Sequence, residues 1–117
     1  MADMNKGGDV RSVYLCRDDK NLYIRVDCVR RLTKRITYII NLRGLNRQNQ
    51  DSRYSVVLYR YKANPPGTVW AYNNNVLEVA VPLTKIDIGQ ALFIQVKTSF
   101  VKFTVDNTGW QEVPSGN

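Results

Sequence analysis

With 117 residues, 44% hydrophobic side chains and a formal net charge of +7, the chain is long enough to bury one core without a metal or disulfide framework. It has no histidine, which removes the usual general base, a common zinc ligand and every triad built on imidazole. No apolar run approaches the ~18 residues of a membrane helix, and the opening MADMNKGGDV lacks the apolar segment of a signal peptide.

The charge is uneven. Residues 1–62 carry 14 basic and 6 acidic side chains, a balance of +8, and residues 63–117 carry 3 and 4, a balance of −1. A basic half of this kind fits an anionic partner, such as acidic glycan, nucleic acid or a phospholipid surface; it equally fits a solvated surface that keeps the domain dispersed. Composition divides the chain into a flexible linker at residues 1–8, one domain at residues 9–113 and a polar tail at residues 114–117.

The domain opens on DVRSVYLCRDDKNLYIRVDC, residues 9–28, which alternates as two strands about the turn Asp18-Asp19-Lys20-Asn21. Folding about that turn pairs Arg17 with Leu22, Leu15 with Ile24 and Val13 with Val26, so that both strands share one apolar face. The same register sets Cys16 opposite Tyr23 and Cys28 opposite Arg11. The two cysteines then lie on opposite faces and too far apart for a disulfide, so both are expected as free thiols, one of them buried.

VRRLTKR, residues 29–35, is a basic connection with too few apolar positions for a helix. The third strand is ITYIINLR at residues 36–43, with Ile36, Tyr38, Ile40 and Leu42 on one face. Residues 41–52 read as a loop from their Gly, Asn and Gln content. The fourth strand, RYSVVLYRY, is expected over residues 53–61. Pro65-Pro66-Gly67 marks a turn, and the fifth strand spans residues 68–72. After the Asn73-Asn74-Asn75 turn, a sixth strand runs over residues 76–81 to Pro82, and residues 83–89 form a helical turn or loop. Strands at residues 91–98 and 101–106 follow, the latter with Val101, Phe103 and Val105 on one side, before Trp110.

About eight short strands, most with one apolar face, predict an all-β fold: an antiparallel two-sheet β-sandwich, immunoglobulin-like or jelly-roll-like. The chain holds neither a phosphate-binding nor a dinucleotide-binding glycine motif. Asp18 and Asp19 read as turn formers, and Glu78, between Leu77 and Val79, as a salt-bridge partner. No catalytic residue and no enzymatic activity are expected.

The chemistry that remains is aromatic and basic. Tyr59, Tyr61, Trp70 and Tyr72 occupy same-side positions of two strands that the Pro-Pro-Gly turn can make neighbours. Such a strip stacks on sugar rings, or on unpaired bases with Arg25, Arg53 or Arg60 nearby to meet phosphates, or else it covers the open edge of the core.

The sequence resembles the family-nine-like carbohydrate-binding modules and the DOMON-like β-sandwiches. VYLCRDDKNLYIRVD is similar to their opening strands, TYIINLRG to the third, RYSVVLYRY to the central strand, TVWAY to the Trp-bearing strand, VLEVAVPLTKI to the Glu-containing strand and FTVDNTGW to the last. The resemblance covers nearly the whole chain. It implies a non-catalytic module of a longer secreted or cell-surface protein, with a polysaccharide as partner and packing roles for Trp70 and Glu78. Calcium occurs in some relatives and haem, through Met or His, in others. Neither has its motif here, where Asn41-Leu42-Arg43-Gly44 ends the third strand, so no cofactor and no metal are expected. The expected ligand-binding residues are Tyr59, Tyr61, Trp70, Tyr72, Trp110, Arg25 and Arg53. The alternative is a structural or protein-interaction domain of such a protein; nucleic acid is the less favoured partner.

Overall fold

A computed structural model describes residues 9–86, 89, 91–100 and 103–113; the expected linker and tail lie outside them. The chain is an all-β sandwich of two antiparallel sheets. One sheet has four strands in the order β1-β2-β7-β6, formed by Val10–Arg17, Asn21–Cys28, Val76–Pro82 and Val69–Asn73. The other has six: β3 (Ile36–Leu45), β4 (Asp51–Tyr59), β5 (Lys62–Asn64), β8 (Ala91–Phe100), β9 (Phe103–Asn107) and β10 (Gln111–Glu112). In it β5, β4, β3 and β8 follow one another, and β9 and β10 share the far edge of β8.

The opening hairpin has the register its pattern demands, with Val13 opposite Val26, Leu15 opposite Ile24 and Arg17 opposite Leu22. A β-bulge changes one pairing: Cys28 faces Val10 rather than Arg11, because the extra residue is absorbed between Val10 and Ser12. Cys28 is buried and Cys16 exposed, both as free thiols. Burial pushes the Cys28 thiol up to about 12, so it stays protonated in the core.

Inward residues of both sheets form a single core. It includes Leu22, Ile24 and Val26 of β2, Ile36, Tyr38, Ile40 and Leu42 of β3, Leu77, Val79 and Val81 of β7, and Leu92, Ile94 and Val96 of β8. Burying each large aliphatic side chain contributes about 1.5–3 kcal/mol. At one side of the sandwich Asp106 Oδ2 accepts the Val10 amide at 2.7 Å, joining β9 to the free edge of β1.

Three boundaries differ from the sequence expectation. The supposed loop at residues 41–52 is mostly ladder, since β3 continues to Leu45 and β4 starts at Asp51. Gly44 occupies an inward position of β3, and the residues between the strands are tied by Asn46, whose Oδ1 accepts the Gln48 and Gln50 amides at 2.9 Å each. The fourth strand ends at Tyr59, not Tyr61. Arg60 and Tyr61, at φ 51° and 61°, make a two-residue hairpin turn into β5, which composition had assigned to a turn. β5 and the two-residue β10 raise the strand count from about eight to ten.

At the Pro-Pro-Gly turn, Gly67 takes φ 87°, which a side chain disfavours, and Thr68 donates to the Pro65 carbonyl. This turn carries the chain from one sheet to the other. Leu83–Lys85 form a single 3-10 turn, and part of the segment after it lies outside the described residues. The expected strand at residues 101–106 is described from Phe103, which is 74% exposed instead of facing the core. Among the described residues no helix is long and apolar enough to cross a membrane.

Candidate functional site

The seven expected ligand-binding residues do not converge. Arg53 and Tyr59 lie on the outer face of the six-stranded sheet, because they alternate with the buried Val56 and Leu58 of β4. Trp70 and Tyr72 lie in the other sheet, on the core side of β6, opposite Val79 and Leu77. Trp110 is half-exposed between β9 and β10, and Arg25 points outward from β2. The strands thought to be neighbours belong to different sheets, so Tyr59 is separated from the other three aromatic residues.

Tyr61, Tyr72 and Trp70 do come together, at the open side where the β4–β5 turn reaches across to β6. Tyr61 stacks on Tyr72 with centroids 5.0 Å apart and 5° between planes, and Trp70 on Tyr72 at 6.0 Å and 16°. Burial and the neighbouring Tyr72 raise the Tyr61 hydroxyl pKa, while Arg31 opposes the shift. Each ring spends area on another ring, and Trp70 also packs against the core, while Tyr61 and Tyr72 stay 42% and 46% exposed. A flat sugar platform needs ring faces open to solvent, which this arrangement restricts.

The outer face of the four-stranded sheet has a different shape. Strand alternation puts Tyr14 and Cys16 of β1, Tyr23 and Arg25 of β2, Glu78 and Ala80 of β7 and Val69 and Ala71 of β6 on it, paired across as Ala80 with Val69 and Glu78 with Ala71. Short side chains over β7 and β6 beside long ones over β1 and β2 leave a groove of about 460 Å³. A second depression of about 260 Å³ adjoins it, sharing Arg25, Ala71 and Glu78 and continuing to Asn73 and Val76.

The long walls are held in place. Arg25 donates from Nε to Asp27 Oδ1 at 2.7 Å and from its terminal nitrogen to Oδ2 at 3.1 Å, and lies 5.4 Å from the Tyr14 ring centroid. Its pairing with Asp27 raises the guanidinium pKa further, so it is a permanent cation. The Tyr23 hydroxyl donates to Asp18 Oδ2 at 2.9 Å, while Asp18 Oδ1 accepts the Asn21 and Lys20 amides at 2.7 and 2.8 Å. Those backbone bonds hold the Asp18 carboxyl below its ordinary range, and the bond to Asp18 raises the Tyr23 pKa. Glu78, expected as a salt-bridge partner, forms no ion pair among the described residues and stands exposed in the groove.

The groove therefore offers an apolar floor with a fixed cation, a carboxylate and phenol groups around it. Among the described residues no cluster of three or more His, Cys, Asp or Glu side chains suits a metal ion. Of the expected residues only Arg25 belongs to this groove by an outward side chain. The signal for the rest lies in the outward set Tyr14, Tyr23 and Arg25 and in the short outward residues Ala71 and Ala80, whose strands are brought side by side only by the fold. No family model, curated protein or solved structure matches this chain.

Proposed function

We propose that the domain is a non-catalytic carbohydrate-binding module of a longer secreted or surface protein, with its site in the groove of the four-stranded sheet. One observation carries the reading: an apolar floor bordered by polar side chains already fixed by Asp27 and Asp18. A pyranose ring has an apolar C–H face and a rim of hydroxyls. Its face lies against Val69, Ala71 and Ala80, and its hydroxyls reach Arg25 and Glu78. Because the walls are pinned before binding, little side-chain entropy is lost when the sugar arrives.

Glycan-array screening followed by calorimetry tests this. Ala71→Trp fills the floor and is expected to abolish binding, and Arg25→Ala to weaken it by about tenfold through loss of a charge-assisted contact. Absence of binding to neutral and acidic polysaccharides at millimolar sugar would sink the reading.

A protein-interaction role has its own support. β1 and β6 each have one edge unpaired among the described strands, and Val69 on β6 is 69% exposed. Light scattering separates the two: a stable oligomer that Ala71→Trp dissociates favours protein docking.

A further inference from the structure

We infer that the end of the sandwich formed by the β2–β3 connection and the β4–β5 turn is a second binding surface, which selects acidic polysaccharide through its carboxylate or sulfate groups. Arg30, Arg31, Lys34 and Arg35 from the first segment and Arg60 and Lys62 from the second are all exposed. Neither CVRRLTKR nor YRYKAN contains an acid, and none of these six cations forms an ion pair among the described residues.

The two segments meet in the fold. Leu32 is buried in the core, its amide donates to the Asn74 carbonyl at 2.7 Å, and the Thr33 amide donates to the Tyr38 hydroxyl at 3.1 Å. Leu32 and Thr33 line one small recess with Arg60, Tyr61 and Trp70. Arg31 is near enough to oppose the upward shift of the Tyr61 pKa, and the Lys34 backbone bonds the same residue. The backbone is thus anchored while the six cations stay exposed at this end, Arg31 near Tyr61 and Arg60 with its guanidinium 5.4 Å from the Tyr59 ring centroid and bonded to the Tyr59 hydroxyl. Clustering like charges costs stability in the absence of a counter-charge, and a polyanion supplies one.

Two features favour an acidic glycan over nucleic acid. The rings at this end are stacked on one another, which restricts the open faces on which bases would stack. The 260 Å³ depression runs from Arg25 and Glu78 towards Asn73, next to Tyr72, and so leads from the groove to this end. That the anion is a glycan rests on the reading of the groove; that it binds at this end does not.

The test uses the full chain, polygalacturonate and a neutral galactan of matched length, with a single-stranded oligothymidylate as the competing polyanion. Arg31→Ser, Lys34→Ser and Arg60→Ser combined are expected to weaken polygalacturonate binding by tenfold or more and to flatten its salt dependence. A triple variant with the same charge change at the other end, Arg17→Ser, Lys20→Ser and Arg47→Ser, is expected to change it less than twofold. Both variants are checked for a melting temperature no lower than that of the parent chain, and Lys34→Glu alone serves if the first triple variant is unstable. Equal losses in the two triple variants overturn the inference, as does absence of polygalacturonate binding or tighter binding of the oligothymidylate. Failure of the groove reading looks different: a silent Ala71→Trp and no galactan binding, with the charge effect intact.

Discussion

On the outer face of the six-stranded sheet side chains pair with one another, whereas on that of the four-stranded sheet they pair at one side and leave the other side low. Ser55 donates to Asn41 at 2.7 Å and Asn41 to Gln95 at 2.9 Å, a polar ladder across β4, β3 and β8. In the next row Arg43 lies 6.0 Å from the Phe93 ring centroid and donates to Asp51 at 2.8 Å. That polar row is satisfied laterally. Across the core, Arg25, Tyr14 and Tyr23 stand beside Ala71 and Ala80, and the difference in side-chain length becomes a groove. The groove thus follows from side-chain contrast and pinning, more than from the number of polar or aromatic residues a face carries.

The largest effects belong to the layer that both faces share. Ile40 of β3 and Leu77 of β7 are fully buried, one in each sheet, so Ile40→Ala and Leu77→Ala are each expected to cost about 2–5 kcal/mol in urea unfolding. A loss under about 1 kcal/mol at either would show that its sheet is not sealed against the other. Alkaline pH probes the same layer. Cys28 has its pKa raised from 9.0 to about 12, so the unfolded chain releases this proton first. The contribution of this shift is fully present below pH 9 and is lost as pH rises towards 12, with buried Tyr38, also shifted upward, acting in the same direction. Denaturation midpoints across that window measure the decline. Native-state thiol labelling should reach Cys16 alone.

Comparing one arginine from each face comes next. Arg25→Ala should weaken glycan binding by about tenfold, while Arg53→Ala, on the laterally paired face, should leave it unchanged in calorimetry. The opposite outcome would move the site to the six-stranded sheet.

Period-two alternation made most strands and both faces of the first hairpin legible, because one buried side forces the register. It failed at Gly44, whose inward position needs no apolar side chain, and at Arg60-Tyr61, where a two-residue turn hid inside an alternating run. Sheet membership was not legible either. Whether the chain crosses layers at Pro-Pro-Gly depends on long-range pairing, so Tyr59 was grouped with Trp70 although they lie in different sheets. The groove was half readable: Tyr14, Tyr23 and Arg25 were recognisable as outward, but concavity arises from Ala71 and Ala80 on strands far away in sequence.

A smaller effect tests the polar ladder. Asn41→Ala removes the acceptor for Ser55 and the donor to Gln95 at a half-buried position. The expected loss is about 1 kcal/mol in urea unfolding, with glycan affinity untouched. A fall in affinity would mean that the ladder face takes part in binding.

The smallest effect expected separates pinning from contact. Asp18 sits in the β1–β2 turn and reaches the groove only through the Tyr23 hydroxyl, 2.9 Å away. Asp18→Asn retains a carbonyl oxygen for the Lys20 and Asn21 amides but puts an NH2 donor where the Tyr23 hydroxyl had its carboxylate acceptor. Affinity should fall about two- to threefold because Tyr23 gains rotamer freedom that ligand binding must then remove. Tyr23→Phe, which keeps the ring and deletes the hydroxyl, should give a similar loss, and the double variant no more than either alone. Additive losses would mean that Asp18 acts on the ligand by another route, and the two walls of the groove would then owe their order to different causes.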